Sequence, residues 1–324
     1  AFFWTGLNEP VQVVHRTVAL DHAPLAFDPA GPSATRQLTA HFDPVHCRLD
    51  LGHAPLYRLR SMRDPADGRW LLAIGFHHLV IDHASLEMIL QEAAAIAEGR
   101  IAGLPAPVPF RNYIWQARFN ADNDAQHAFF SRMLGDIEQP TAPFGLAEMN
   151  ESARDLDEHR VTLPDAVANE LRRCARTQGV SIAALMHQAW AMVLARATGL
   201  ERVVFGTVLF GRMDSGQDAD RALGLFINTL PLRIDVDATG VAEALNRTQR
   251  ALADLLHHEH ASLAMAQRCS DIPAAVPLFT SIFNYRHSSG SDSALGDMVL
   301  DDETGAERTN FPLAMSVRGG SATT

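Results

Sequence analysis

Within seven residues the chain places three histidines and a carboxylate: His77-His78-Leu79-Val80-Ile81-Asp82-His83. A neutral imidazole titrates near working pH, so it can take a proton from an attacking amine or hydroxyl. His78 and Asp82 are spaced His-x-x-x-Asp, which sets a carboxylate one turn beyond that imidazole. No Gly-x-Ser-x-Gly marks a nucleophilic serine, which favours direct acyl transfer between two bound substrates over a covalent acyl-enzyme. Metal binding is the other use for such side chains. The spacing is not the His-Glu-x-x-His of a zinc helix, and no second cluster has clear ligand spacing. The nearest, His257-His258-Glu259-His260, ends a long helix, where polar and cationic groups are ordinary capping. No metal is therefore expected. The bland use of a histidine after a buried strand is as a hydrogen-bonded structural residue, and the density of this cluster argues against it.

The elements that must hold these residues are legible on either side. Trp70-Leu71-Leu72-Ala73-Ile74 is an apolar run of strand length. Leu56–Met62 alternates Tyr57, Leu59 and Ser61 against Arg58 and Arg60, a strand with one wet face. Asp64-Pro65-Ala66-Asp67-Gly68 between them is strong turn chemistry, so the two strands are expected to form an antiparallel hairpin. After the histidines, Leu86, Ile89, Leu90, Ala93 and Ala97 recur at helical spacing, with Ser85 as the expected N-cap and Gly99 as the stop. The spacing also predicts a strand over 11–18 and a short helix over 33–42. An amphipathic helix is expected from the Phe110–Trp115 region to about Leu134, then a linker from Gln139 to about Asp157.

The second half is expected to open with a strand, Glu158–Leu163, and two helices broken at Gly179, the second capped by Ser181. A buried-type strand, Val203–Leu209, a further strand within 223–236 and a long helix from Val241 to about His258 follow. Strands over Leu278–Arg286 and Phe311–Val317 close the chain. Strands and helices mix in both halves, which implies an α/β or α+β protein with mixed sheets in two lobes, divided at 1–152 and 153–324.

Composition bounds the function. At 324 residues the chain exceeds one ordinary core, and 47% apolar with 20% charged residues is a globular balance. A net charge of −11 with scattered Lys and Arg offers no stripe for nucleic acid or anionic lipid. No run reaches the roughly 18 apolar residues of a membrane helix. Three cysteines, Cys47, Cys174 and Cys269, form neither a disulfide framework nor a Cys-x-x-Cys knuckle, as expected in the reducing cytoplasm.

Several stretches together resemble one family. His77-His78-Leu79-Val80-Ile81-Asp82 resembles the His-His-x-x-x-Asp-Gly motif of nonribosomal peptide synthetase condensation domains. Phe110-Arg111-Asn112-Tyr113-Ile114-Trp115 resembles the aromatic motif that follows it. Gly206–Arg212 and Leu223–Arg233, with Phe-Ile-Asn-Thr-Leu-Pro-Leu-Arg, resemble the central signature. His260-Ala261-Ser262-Leu263 and Arg308-Thr309-Asn310-Phe311-Pro312-Leu313 resemble the later ones. The motifs keep the family's order over about residues 40 to 317.

The resemblance implies two chloramphenicol acetyltransferase-like lobes in a V, with a tunnel between them. Donor and acceptor peptidyl carrier proteins would dock at opposite mouths, beside an adenylation domain in a multimodular synthetase. The domain would need no cofactor of its own, because the substrates ride on the carriers' phosphopantetheine. His78, matching the second motif histidine, would position or deprotonate the acceptor amine. His77 would support it, Asp82 would pair with an arginine (Arg212 or Arg233), and Asn228 would lie near the tunnel. The alternatives are a catalytically silent relative that recruits a carrier or tailoring enzyme, and an epimerization relative with the same histidine.

The sequence departs from the family pattern in two respects. His83 stands where the motif has glycine, adding bulk and a second titrating group near the tunnel. The family's early motifs and the last part of its second lobe also have no counterpart here. A chain truncated at both ends is therefore expected, in keeping with a start at Ala1-Phe2-Phe3-Trp4 without Met.

Overall fold

The computed structural model describes residues 1–42, 47–119, 123–147, 157–212, 221–288 and 309–320. These fall into two compact units. The first holds the described residues from Ala1 to Ala93 together with Leu223–Leu225, and the second holds the other described residues from Ala94 onward. The boundary expected between 152 and 153 lies outside the described residues, as do Arg308 and 321–324.

The first unit is built on a three-stranded sheet, with strands β3 (Asp21–Pro24), β4 (Tyr57–Arg63) and β5 (Trp70–Phe76) in that order. A small antiparallel pair, β1 (Phe2–Phe3) with β2 (Val11–Gln12), precedes it. β2 is all that forms of the strand expected over 11–18. The β4–β5 hairpin forms as its turn residues require, in register from Tyr57 opposite Phe76 to Arg63 opposite Trp70. Helix α1 (Ala34–Ala40), capped by Ser33, packs Ala34 and Leu38 against Met62, Leu71 and Ala73. Leu71 and Ala73 thus face the helix, while Trp70 and Leu72 on the opposite face of β5 remain exposed.

The expected wet face of β4 is only part-exposed, because Met62 and the paired Leu71 and Ala73 turn that same face toward α1. β3 pairs with β4 in parallel, and its Asp21 carboxylate accepts from Arg58 Nε at 2.9 Å and Arg60 Nη1 at 2.8 Å. Those contacts, first from Arg60 and then from Arg58, hold the Asp21 carboxyl below its usual range. Two cations on one strand face look solvated in the sequence, yet a strand carrying their counter-ion lies beside them.

The second unit centres on a four-stranded mixed sheet ordered β7 (Asn228–Asp235), β6 (Arg202–Leu209), β8 (Ser281–Ser288), β9 (Leu313–Gly320). β6 and β7 are antiparallel, whereas β6–β8 and β8–β9 are parallel. Val203, Val204, Phe205, Gly206 and Thr207 are buried in succession, so β6 is covered on both faces, as its unbroken apolar run predicted. Leu194, Phe205, Leu230, Leu232 and Leu255 are completely buried in this core. Each such side chain contributes about 1.5–3 kcal/mol relative to leaving it in water.

Helices α5 (Asp165–Gln178) and α6 (Ile182–Thr198) meet at Gly179, and the Ser181 hydroxyl caps α6 by accepting the Ala184 N–H at 3.0 Å. Helix α7 (Val241–Leu256) buries Leu245, Thr248, Leu252 and Leu255, one face at helical spacing. The amphipathic segment after Phe110 forms two helices, α3 (Arg111–Phe119) and α4 (Asn123–Leu134). α4 adds Phe129, Phe130 and Leu134 to the core and packs on α8 (Leu263–Gln267).

Two expected features differ. Val161 and Leu163 are exposed, and Glu158–Leu163 is not a strand, because no described strand pairs with it. The first part of the expected linker is tied down instead. The Thr141 hydroxyl accepts from Val204 N–H at 2.8 Å, and the Thr280 hydroxyl donates to the Leu146 carbonyl at 2.7 Å. Among the described residues no single helix is long and apolar enough to cross a membrane.

Candidate functional site

The histidine pair sits where the β5 ladder ends. Its last bond runs one residue past the strand, from His77 N–H to the Leu56 carbonyl at 3.1 Å. Upstream, Gly75 lets the chain pass close to Phe42, since a Cβ there would lie 2.4 Å from that ring. The backbone then tightens into a 3-10 turn, His78–Val80, closed by Val80 N–H to the His77 carbonyl at 3.1 Å.

That turn divides the two imidazoles. His77 Nδ1 accepts the Leu79 N–H at 3.2 Å, which requires that nitrogen to be unprotonated. Burial, and then the neighbouring His78, push the His77 pKa down, which keeps its ring neutral. His78 is exposed, with its ring edge-to-face with Phe76 at 6.4 Å. One ring therefore serves its own backbone, and the next faces solvent.

Ile81, 1% exposed, anchors the end of the turn, and Asp82 is buried beside it. Helix α2 (His83–Ala97) starts there. Asp82, rather than the expected Ser85, caps it: the Asp82 carboxylate accepts the Ser85 N–H at 2.8 Å, and the Asp82 carbonyl accepts the Leu86 N–H at 3.0 Å. Ser85 lies a turn further on, where its hydroxyl meets the backbone N–H and carbonyl of Gly224. The far end closes as expected. Gly99 takes φ +78°, and the N–H groups of Gly99 and Arg100 return to the carbonyls of Ile96 and Ala95. His83 is exposed at the start of the helix, with Nε2 3.4 Å from the Glu87 carboxylate.

The remaining expected site residues lie in the second unit. The Arg212 guanidinium stacks 3.9 Å from the centre of the Phe226 ring and donates to the Ala222 carbonyl at 3.2 Å. Arg233 pairs with Asp235 at 2.8 Å and with Asp136, and donates to the Met133 carbonyl at 3.1 Å. Asn228 Nδ2 donates to the carbonyls of Glu259 and Ala261, both at 2.8 Å, while its Oδ1 accepts the Thr229 N–H. The side chain thereby fastens the turn after α7 to the start of β7.

Three motifs that are far apart in sequence meet here. Phe110 and Tyr113 pack on Phe226 with ring centres 5.1 and 4.4 Å apart, and the Tyr113 hydroxyl lies 3.4 Å from His260 Nδ1. The aromatic motif, the central signature and the His260 segment thus form one cluster in the second unit. Among the described residues, no group of three or more His, Cys, Asp or Glu is placed to hold a metal ion. Sequence reasoning missed the Ser85–Gly224 contact, because 139 residues separate the partners and neither type signals it.

The profile of the family described as condensation domain matches residues 2–321. The chain belongs to the condensation-domain family. It is 47% identical over 321 residues to malpinin synthetase and 44% identical to malpibaldin synthetase, both of Mortierella alpina. To a linear gramicidin synthase polypeptide of Brevibacillus parabrevis it is 33% identical over 340 residues. These alignments cover 98%, 98% and 99% of this chain but only 4%, 6% and 6% of the synthetases, so the chain spans a small part of their length.

Among solved structures, the first condensation domain of the CDA synthetase aligns with a TM-score of 0.66 at 20% identity, covering 88% of this chain and 68% of that one. The X-domain from teicoplanin biosynthesis aligns with a TM-score of 0.71 at 20% identity, covering 95% and 72%. The shared fold and the mixed α/β class of a nonribosomal peptide synthetase condensation domain agree with the sequence reading.

Proposed function

We propose that this condensation domain joins two carrier-borne substrates through an amide, with His78 acting at the acceptor amine. The donor is an acyl or peptidyl thioester, and the acceptor an aminoacyl thioester. Each is held on the phosphopantetheine arm of a peptidyl carrier protein, with an adenylation domain adjoining in a larger synthetase. The acceptor nitrogen attacks the donor carbonyl carbon. A C–N bond forms and the C–S bond breaks, the His78 imidazole takes the amine proton and returns it to the departing thiolate, and the donor arm leaves as its thiol.

The observation that carries the reading is the division of labour in the turn. His77 is half-buried and committed to the Leu79 N–H, whereas His78 is exposed on a short turn anchored by Ile81 and Asp82. Asp82 acts structurally, as a helix cap, in this reading. The donor thioester is already activated, so the site has to supply orientation more than bond-breaking power. Holding two tethered reactants in line is worth on the order of 7–11 kcal/mol, and one imidazole adds about 10²–10⁴-fold.

The test is incubation with loaded donor and acceptor carriers, reading the acceptor arm by mass and by chiral analysis. The proposal expects the summed acyl and aminoacyl mass on the acceptor thiol. An inverted α-carbon without mass gain would mean an epimerization relative. Unchanged arms with carriers still bound would mean a recruiting domain.

A further inference from the structure

We infer that Ser85 is a positioning residue for His78, holding the histidine turn through a reciprocal pair of hydrogen bonds with the backbone N–H and carbonyl of Gly224. The Ser85 side chain is completely buried. Its hydroxyl donates to the Gly224 carbonyl at 2.9 Å and accepts the Gly224 N–H at 3.1 Å. The same carbonyl accepts the Asp82 N–H at 3.2 Å, and the Asp82 carboxylate accepts the Ser85 N–H at 2.8 Å. Asp82, Ser85 and Gly224 therefore close a ring of hydrogen bonds around the first turn of α2, and every link in it is a group of the first unit.

The ring bears on His78 because so little chain lies between. Only Leu79, Val80 and Ile81 separate His78 from Asp82. His78, Leu79 and Val80 form the 3-10 turn, and Ile81 is packed in the interior. A displaced Asp82 backbone has no slack in which to be absorbed before it reaches the imidazole. A serine is the smallest side chain that can meet both the N–H and the carbonyl of one residue, since its hydroxyl donates and accepts at once. Alanine would leave the Gly224 carbonyl its bond from Asp82 but take the Ser85 hydroxyl away from the buried Gly224 N–H, and the turn would shift to find that group another partner.

The kinetic arm of this inference rests on the function proposed above; the spectroscopic arm does not. In the full protein, Ser85→Ala should lower the single-turnover rate of amide formation about 10²-fold, the scale of a 1 Å misplacement. Carrier affinity should stay unchanged. Ser85→Thr, which keeps the hydroxyl, should return the rate to within about threefold of the parent. The His78 Cε1–H proton resonance, assigned by its absence in His78→Ala, should move in Ser85→Ala and return in Ser85→Thr. If Ser85→Ala does not fold, Ser85→Cys, a weaker donor of similar shape, replaces it with the same expected shift.

A folded variant without the hydroxyl that keeps the parental rate and resonance would overturn the inference. So would a Ser85→Thr that stays folded yet restores neither. If His78→Ala itself turned over normally, the functional reading would fall, and the resonance alone would decide the role of Ser85.

Discussion

In the first unit His78 stands exposed on a single 3-10 turn, whereas in the second His187 is 5% exposed, with Nδ1 2.7 Å from the Ala183 carbonyl and Nε2 beside the Thr207 hydroxyl. Phe205 and Phe283 pack around the buried ring. Nδ1 can meet a carbonyl only by donating, so Nε2 carries the lone pair that takes the Thr207 O–H, and the ring is held neutral. Burial pushes its pKa down to about 4. The same side chain is thus a sealed strut in one unit and a solvent-facing group in the other. Surroundings, not residue type, decide which of the two imidazoles is open to solvent.

The largest test of that contrast is mechanical. Phe283→Ala removes the ring packed on both His187 and Trp190 and should cost about 3–5 kcal/mol in urea unfolding. His78→Ala, on an exposed turn, should stay within about 0.5 kcal/mol of the parent. Comparable losses in the two variants would break the comparison.

A smaller effect appears with pH. The folded value for His187, about 4, lies below the ordinary 6.5. Between those values the unfolded chain therefore binds more protons, and acid favours it. The contribution of His187 to stability is complete above pH 6.5 and is lost as pH falls toward 4, on the order of 3 kcal/mol in all. Denaturant titrations at steps through that window should show the decline, and His187→Gln should flatten it. An equal slope in that variant would place the proton elsewhere.

Smallest in energy is His83→Gly. His83 is exposed and reaches along its own helix to Glu87, so stability should change by less than about 1 kcal/mol. Removing the imidazole beside the histidine turn should widen the range of acceptor side chains found in product. An unchanged acceptor profile would make His83 irrelevant to selectivity.

What could be read beforehand followed how local the signal was. The β4–β5 hairpin was legible because its turn is written in Asp64–Gly68, and Gly99, Gly179 and Ser181 marked helix ends through their own backbone chemistry. Strand β3 was not legible. Asp21-His22-Ala23-Pro24 has little strand propensity and is held by Asp21 pairing with arginines 37 and 39 residues away. The cap of α2 is ambiguous in the sequence, because Asp82 and Ser85 both suit the position. The choice fell to burial and to Gly224, neither of which the local sequence shows. The histidine cluster itself was legible as chemistry, but the different tasks of His77 and His78 depend on a 3-10 turn with no sequence signature of its own.

The most direct measurement is the single-turnover rate of amide formation by His78→Ala at saturating loaded carriers, with carrier affinity measured on the same samples. The rate should fall about 10²–10⁴-fold below the parent at unchanged affinity. A parental rate from the variant would contradict that expectation and leave the exposed imidazole without a part in the chemistry.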